Sequence, residues 1–166
     1  AVATLALDDL DAGARSSAIS YFTHGTIRNV PLTRMDPRAK ARLLPEFLAG
    51  LRDSDWLVRN NSVSALRFFP EASSVVIPAL SPALLDSRPE VQLAAAWILA
   101  GLATDPVTQR AAISVMIAIL ASPNDQIAWQ AAEALGELGV QPEIAVPALM
   151  ATLGSTNALV AETSVG

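Results

Sequence analysis

One phrase recurs along this chain, and repetition at a near-fixed interval constrains a fold more than any single motif. Residues 53–66 read DSDWLVRNNSVSAL, residues 86–99 read DSRPEVQLAAAWIL and residues 122–135 read SPNDQIAWQAAEAL. Residues 155–166, STNALVAETSVG, repeat its opening, and residues 9–22, DLDAGARSSAISYF, are a more diverged copy. The apolar residue before the slot held by Arg15 and Arg59 serves as anchor. The anchors are then Ala14, Val58, Val91, Ile127 and Val160, at spacings of 44, 33, 36 and 33. A second mark keeps the same register: Pro45, Pro78 and Pro147 each stand 13 residues before an anchor, and Ser114 takes that place before Ile127.

Each unit predicts two helices. The first covers roughly 38–52, 74–85, 106–121 and 143–153, and the second roughly 56–69, 89–102, 125–138 and 158 onward. Asp55 and Ser87 are expected to accept from the orphan N–H groups of a helix start, with Ser87 and Glu90 spaced as a capping box. Asp105 followed by Pro106 is a cap followed by proline at the first helical position. Gly136 and Gly139 mark the end of a second helix. The recurrent proline falls inside the first helix, near its start, where it costs a hydrogen bond and favours a bend.

At the helical period the second helices collect one apolar column. It reads Val58, Ser62, Ala65, Leu66, Phe69, then Val91, Ala95, Ile98, Leu99, Leu102, then Ile127, Ala131, Ala134, Leu135, Leu138. A single helix pair cannot bury such a face, whereas stacked neighbours can. The fold class expected is therefore all-α, an α/α superhelix of about four stacked antiparallel helix pairs. Only 5% of residues are aromatic against 52% apolar, which suits close helix packing better than a sandwich of strands. The organisation expected is one repeat domain over residues 1–166. Residues 1–24 form a diverged partial repeat, 25–37 an inserted loop, 38–72, 73–104 and 105–140 full repeats, and 141–166 a truncated one. Both ends cut through a unit, so the array is expected to continue past them or to dock something there, end-to-end self-association included.

The segments DSDWLVRNNSVSAL, AAEALGELG and IAVPALMATLGS resemble HEAT repeats, and in particular the short regular kind called PBS-lyase HEAT-like repeats. Pro78–Leu80 and Pro147–Leu149 match the first helix of that pattern, Asp53–Arg59 its turn, and Ala134–Gly139 the ending of its second helix. The likeness covers 38–166 well and 5–22 loosely. The Arg after the anchor is kept at Arg15 and Arg59 but becomes Gln92, Ala128 and Ala161, so no continuous Arg ladder is expected. The resemblance implies a scaffold or adaptor that binds a protein partner. Its one enzymatic implication is a subunit of a bilin lyase holding a tetrapyrrole, for which no residue here is dedicated.

The residues themselves argue against catalysis. With no cysteine, thiolate chemistry, disulfides and Cys-ligated metals are excluded within this sequence. His24 is the single histidine and lies beside the first helix end, where a loop or helix-end role suffices. Asp8, Asp9 and Asp11 are better explained by helix capping than by acid–base work. No spacing supports a metal site or a phosphate loop, so no cofactor is expected. No apolar run is long enough to span a bilayer. Residues 71–166 carry two basic against nine acidic side chains, which disfavours a nucleic-acid binder of the HEAT-like kind.

Binding is a different matter. The face of the second helices opposite the anchors, which lines the concave surface in HEAT solenoids, would carry Asn60, Ser64 and Arg67, then Leu93, Trp97 and Ala100, then Trp129, Glu133 and Gly136. Trp and Arg are enriched at binding hot spots. The partner-binding residues expected are Asn60, Ser64, Arg67, Leu93, Trp97, Trp129 and Glu133, although both tryptophans would also serve as filler between repeats. The insert over Thr23–Pro37, with Arg28, Arg34 and Arg38, is a second candidate and suits an acidic partner.

Overall fold

The computed structural model describes residues 11–24 and 35–139. All regular structure among the described residues is helical. The chain divides into two compact units, Ala1–Leu80 and Ser81–Gly166.

The first unit contains α1 (Ala12–His24), α2 (Pro37–Ala41), α3 (Leu44–Gly50), α4 (Trp56–Leu66), a 3-10 turn (Pro70–Ala72) and α5 (Ser73–Leu80). The helix expected over 38–52 is thus two pieces. Pro45 has no N–H for the carbonyl of Ala41, so α2 stops there and α3 restarts with Pro45 in its first turn. The expectation of 56–69 for α4 is three residues too long. Pro70 disfavours helical geometry at the residue before it, and Phe69 sits at φ −119°, ψ 51°. The N–H groups of Phe68 and Phe69 instead donate three residues back, to Ala65 and Leu66.

Both α1 and α3 pack on α4. The column predicted as core is buried there: Val58, Ser62, Ala65, Leu66 and Phe69 are all within 1% of full burial. Phe47 of α3 meets Phe69 edge to face, with ring centroids 5.9 Å apart and planes at 67°. Lys40 closes over the Phe69 ring, its Nζ 4.8 Å from the centroid, while that ammonium donates to Glu71 at 2.9 Å. A cation held by both a ring and a carboxylate fastens the short α2 to the loop after α4.

The helices α3 and α4 approach closely at Gly50. A Cβ built on Gly50 would collide with the hydroxyl of Ser62, itself fully buried and donating to the Val58 carbonyl at 2.7 Å. Gly50→Ala is therefore expected to lose about 1–3 kcal/mol through overpacking. Gly101 is the contrasting case: an added Cβ meets nothing within 4 Å. Gly101→Ala is expected to gain up to about 1 kcal/mol from helix propensity. Urea denaturation of the two variants, side by side, checks both signs.

The second unit contains a 3-10 stretch (Ser81–Leu85), α6 (Pro89–Leu102), α7 (Pro106–Leu120) and α8 (Asp125–Leu138). The helix expected over 74–85 is α-helical only to Leu80. Pro82 has no N–H for the carbonyl of Pro78, and the tighter 3-10 turn follows. The second helices fall where the pattern put them, at 89–102 and 125–138. α6 packs against α7, α8 and the 3-10 stretch. Val91, Ala95, Leu99, Ile127, Ala131 and Leu135 are buried, with Ile113 and Met116 of α7 against them in the core. Leu102 and Leu138, at the column's far end, are half-buried. α6 is buried on a second side too, through Leu93, Ala96 and Ala100.

Candidate functional site

The recurring phrase is first of all a turn. In three copies the side chain at its first position accepts the backbone N–H two residues on. Asp53 Oδ1 accepts from Asp55 at 2.9 Å, Asp86 Oδ1 from Arg88 at 2.9 Å, and Ser122 Oγ from Asn124 at 3.2 Å. Such local turns are what short acidic and hydroxyl side chains offer the backbone. Two positions on, Asp55 caps α4 by accepting from Leu57 and Val58, and Asn124 caps α8 by accepting from Gln126. The middle copy departs from expectation. Its N-cap is Arg88, which makes no side-chain cap, so the Ser87–Glu90 capping box does not form. Arg88 lacks an acceptor, and its guanidinium takes Glu90 instead, at 3.2 Å. Asp105 caps α7 through Thr108, ahead of Pro106, as expected. Gly139 ends α8 at φ 52°, a conformation glycine adopts without cost, whereas Gly136 lies inside the helix.

The slot after the anchor has a mechanical role. Arg59 Nη1 donates to the carbonyls of Asp53 and Ser54, six and five residues back, at 2.9 and 3.1 Å. Gln92 reaches the carbonyl of Asp86, also six residues back. Gln therefore replaces Arg without losing the closure of the turn.

Arg15 has a different partner. Its Nε and Nη2 donate to the two oxygens of Asp53 at 2.7 and 2.8 Å, joining α1 to the turn before α4. Asn61 adds a bond from α4 to the Ser16 hydroxyl at 2.9 Å. Arg15, Glu46 and Asp53 line a cleft of about 130 Å³ with Ile19, Ala49, Gly50 and Val58. The guanidinium hydrogen bonds hold the Asp53 carboxyl below its usual range, against the opposing effect of burial. A depressed carboxyl stabilises the fold fully above its unfolded value, about 3.9, and loses that contribution as pH falls through the folded value. Asp53→Asn is accordingly expected to be less stable than wild type at neutral pH, with the gap closing as pH falls below the unfolded value of about 3.9 and through the lowered folded one. Thermal midpoints taken across that range report it.

The expected binding residues divide between the units. In the first, Asn60 and Ser64 are half-buried on α4 and Arg67 is exposed, its guanidinium 4.5 Å from the centre of the Phe68 ring. In the second, Trp97 and Trp129 are half-buried and Glu133 is exposed. Leu93, expected on the same outward face, is only 8% exposed, and Ala100 is 2% exposed. They belong to the second buried side of α6, because a helix with neighbours on both flanks hides a wider arc than the anchor column. Arg38 is exposed in α2, while Arg28 and Arg34 lie outside the described residues. Asp11 caps α1 by accepting from Ala14 at 3.0 Å, whereas Asp8 and Asp9 lie outside the described residues. His24 is the last residue of α1 rather than the first beyond it. Among the described residues no single helix is long and apolar enough to cross a membrane.

Helix pairs joined by a recurring turn, with a repeated apolar column as core, define an α-solenoid repeat protein. The HEAT repeats family matches residues 77–165, and the single HEAT repeat matches residues 43–69. The chain belongs to the HEAT-repeat family. No curated protein sequence matches it. Solved structures of similar fold include an engineered protein at 21% identity and TM-score 0.64, covering 98% of this chain and 75% of that one. A second engineered protein gives 20% identity and TM-score 0.56, covering 98% of this chain and 45% of that one. A designed armadillo repeat protein gives 20% identity and TM-score 0.55, with 98% and 78% covered. At these identities the likeness concerns the fold alone.

Proposed function

We propose that the chain is a protein-interaction scaffold that holds its partner on the outward faces of its second helices. In the second unit the residues are Trp97, Trp129 and Glu133, and in the first Asn60, Ser64 and Arg67. The observation that carries this reading is the pair of partly exposed tryptophans on α6 and α8. Two large indoles left partly in solvent in a chain of 5% aromatic residues are what a contact surface retains and a plain solvated surface does not. The Thr23–Pro37 insert, with Arg28, Arg34 and Arg38, is a separate second contact, suited to an acidic segment rather than to whatever the helix faces hold. The test is a pull-down or titration with Trp97→Ala and Trp129→Ala combined, checked for retained helicity. Loss of the partner is expected, and retention of every partner overturns the site.

The finer resemblance to PBS-lyase HEAT-like repeats suggests a lyase subunit instead. That alternative rests on the Pro-Ala-Leu and Asp-x-Asp-x-x-Val-Arg motifs alone. It predicts an absorbance change when a tetrapyrrole is titrated in, and an unchanged spectrum removes it.

A further inference from the structure

The second helices of the second unit are one-sided in charge. α6 and α8 together carry Glu90, Asp125, Glu133 and Glu137 and not one Lys or Arg. Trp129, Glu133 and Glu137 follow each other at i, i+4 and i+8, which places them on a single stripe of α8. Trp97 holds on α6 the slot that Glu133 holds on α8, each six residues past its anchor, and the two helices touch. An indole on one helix therefore stands in register with a carboxylate on the next. Both glutamates are exposed, and neither forms a hydrogen bond or ion pair with another described residue. Gly101, one turn past Trp97, and Gly136 in α8 are exposed, and a Cβ at either would meet nothing within 4 Å. The surface beside these glycines has room for another chain to come close.

We infer that this face takes a basic, extended segment of a partner protein. Lys or Arg side chains lie against the indoles of Trp97 and Trp129, and their charge is met by Glu133 and Glu137. An indole face attracts a cation through its quadrupole, and nearby carboxylates add a term that salt weakens. The charge of residues 71–166, two basic against nine acidic side chains, favours the same occupant over an acidic or neutral one. This rests on the scaffold reading above and specifies the partner's chemistry.

The probes are three labelled peptides: octa-arginine, octa-glutamate, and a neutral Gly-Ser octamer. Binding is read by fluorescence anisotropy at about physiological ionic strength, where screening reaches about 8 Å. Octa-arginine is expected to bind saturably and the other two not. Trp97→Leu leaves the charge unchanged and is expected to weaken binding about tenfold, with Trp97→Phe retaining part of it. Glu133→Gln with Glu137→Gln is expected to weaken it comparably. Asp105→Asn, which removes a charge from a first helix but keeps a capping oxygen, is expected to change it less than about twofold. The inference is overturned if octa-arginine does not saturate, if Trp97→Leu has no effect, or if Asp105→Asn costs as much as the glutamate pair. A neutral peptide selected from a random library that binds through Trp97 and is not displaced by octa-arginine would overturn the basic partner while leaving the scaffold intact. A library that yields no Trp97- or Trp129-dependent binder overturns both.

Discussion

Phe47→Ala is expected to remove about 3–5 kcal/mol from the first unit, the usual cost of emptying a fully buried aromatic site. Phe47 has no exposed surface, and its ring is the edge-to-face partner of Phe69. Its loss leaves a cavity where α3 crosses α4 and withdraws the support under Phe69, which in turn carries the Lys40 ammonium. The Lys40–Glu71 pair, with Glu71 largely exposed, contributes little by itself and cannot compensate. Solenoid stability is close to a sum of local and nearest-neighbour terms. The three tryptophans can separate the response, since Trp56 belongs to the first unit and Trp97 and Trp129 to the second. In single-tryptophan backgrounds, the urea midpoint read at Trp56 is expected to fall most. Equal falls at all three would mean that the whole chain unfolds as one.

Replacing Trp97 and Trp129 together by alanine is expected to weaken partner binding by at least about thirtyfold, the effect of losing one hot-spot residue of about 2 kcal/mol. Effects of the two are not expected to add in full, because α6 and α8 touch and residues on contacting elements commonly couple. Stability is expected to change far less than in Phe47→Ala. Both rings are partly exposed, so truncation empties no sealed cavity. The dissociation between the two readouts separates a contact surface from inter-repeat filler. Filler would show a large fall in stability and little direct effect on affinity.

Much of the second unit was legible from the sequence. The boundaries of α6 and α8 follow from caps, a helix-starting proline and Gly139, all local signals that act within a turn of the residue concerned. The buried column was legible because helical periodicity reports angle about the helix axis. Periodicity does not report which other angles a neighbour occupies, and so it assigns Leu93 outward although the side chain is buried. The Arg15–Asp53 pair joins residues 38 apart and follows from packing of α1 on α4, which no local pattern encodes. The break between α2 and α3 could have been read from Pro45 and its missing donor to Ala41. The uncapped Arg88 could not, since Ser87 beside it offers the better cap and only the turn geometry set by Asp86 passes it over.

The partner is expected to meet the outward face of the second helices and not that of the first. A photo-crosslinking amino acid at Glu133 of α8, compared with the same group at the exposed Ser114 of α7, tests it most directly. A specific crosslinked partner is expected from position 133, lost when Trp97 and Trp129 are replaced, and background alone from position 114. The same partner captured from position 114 and not from position 133 would contradict it.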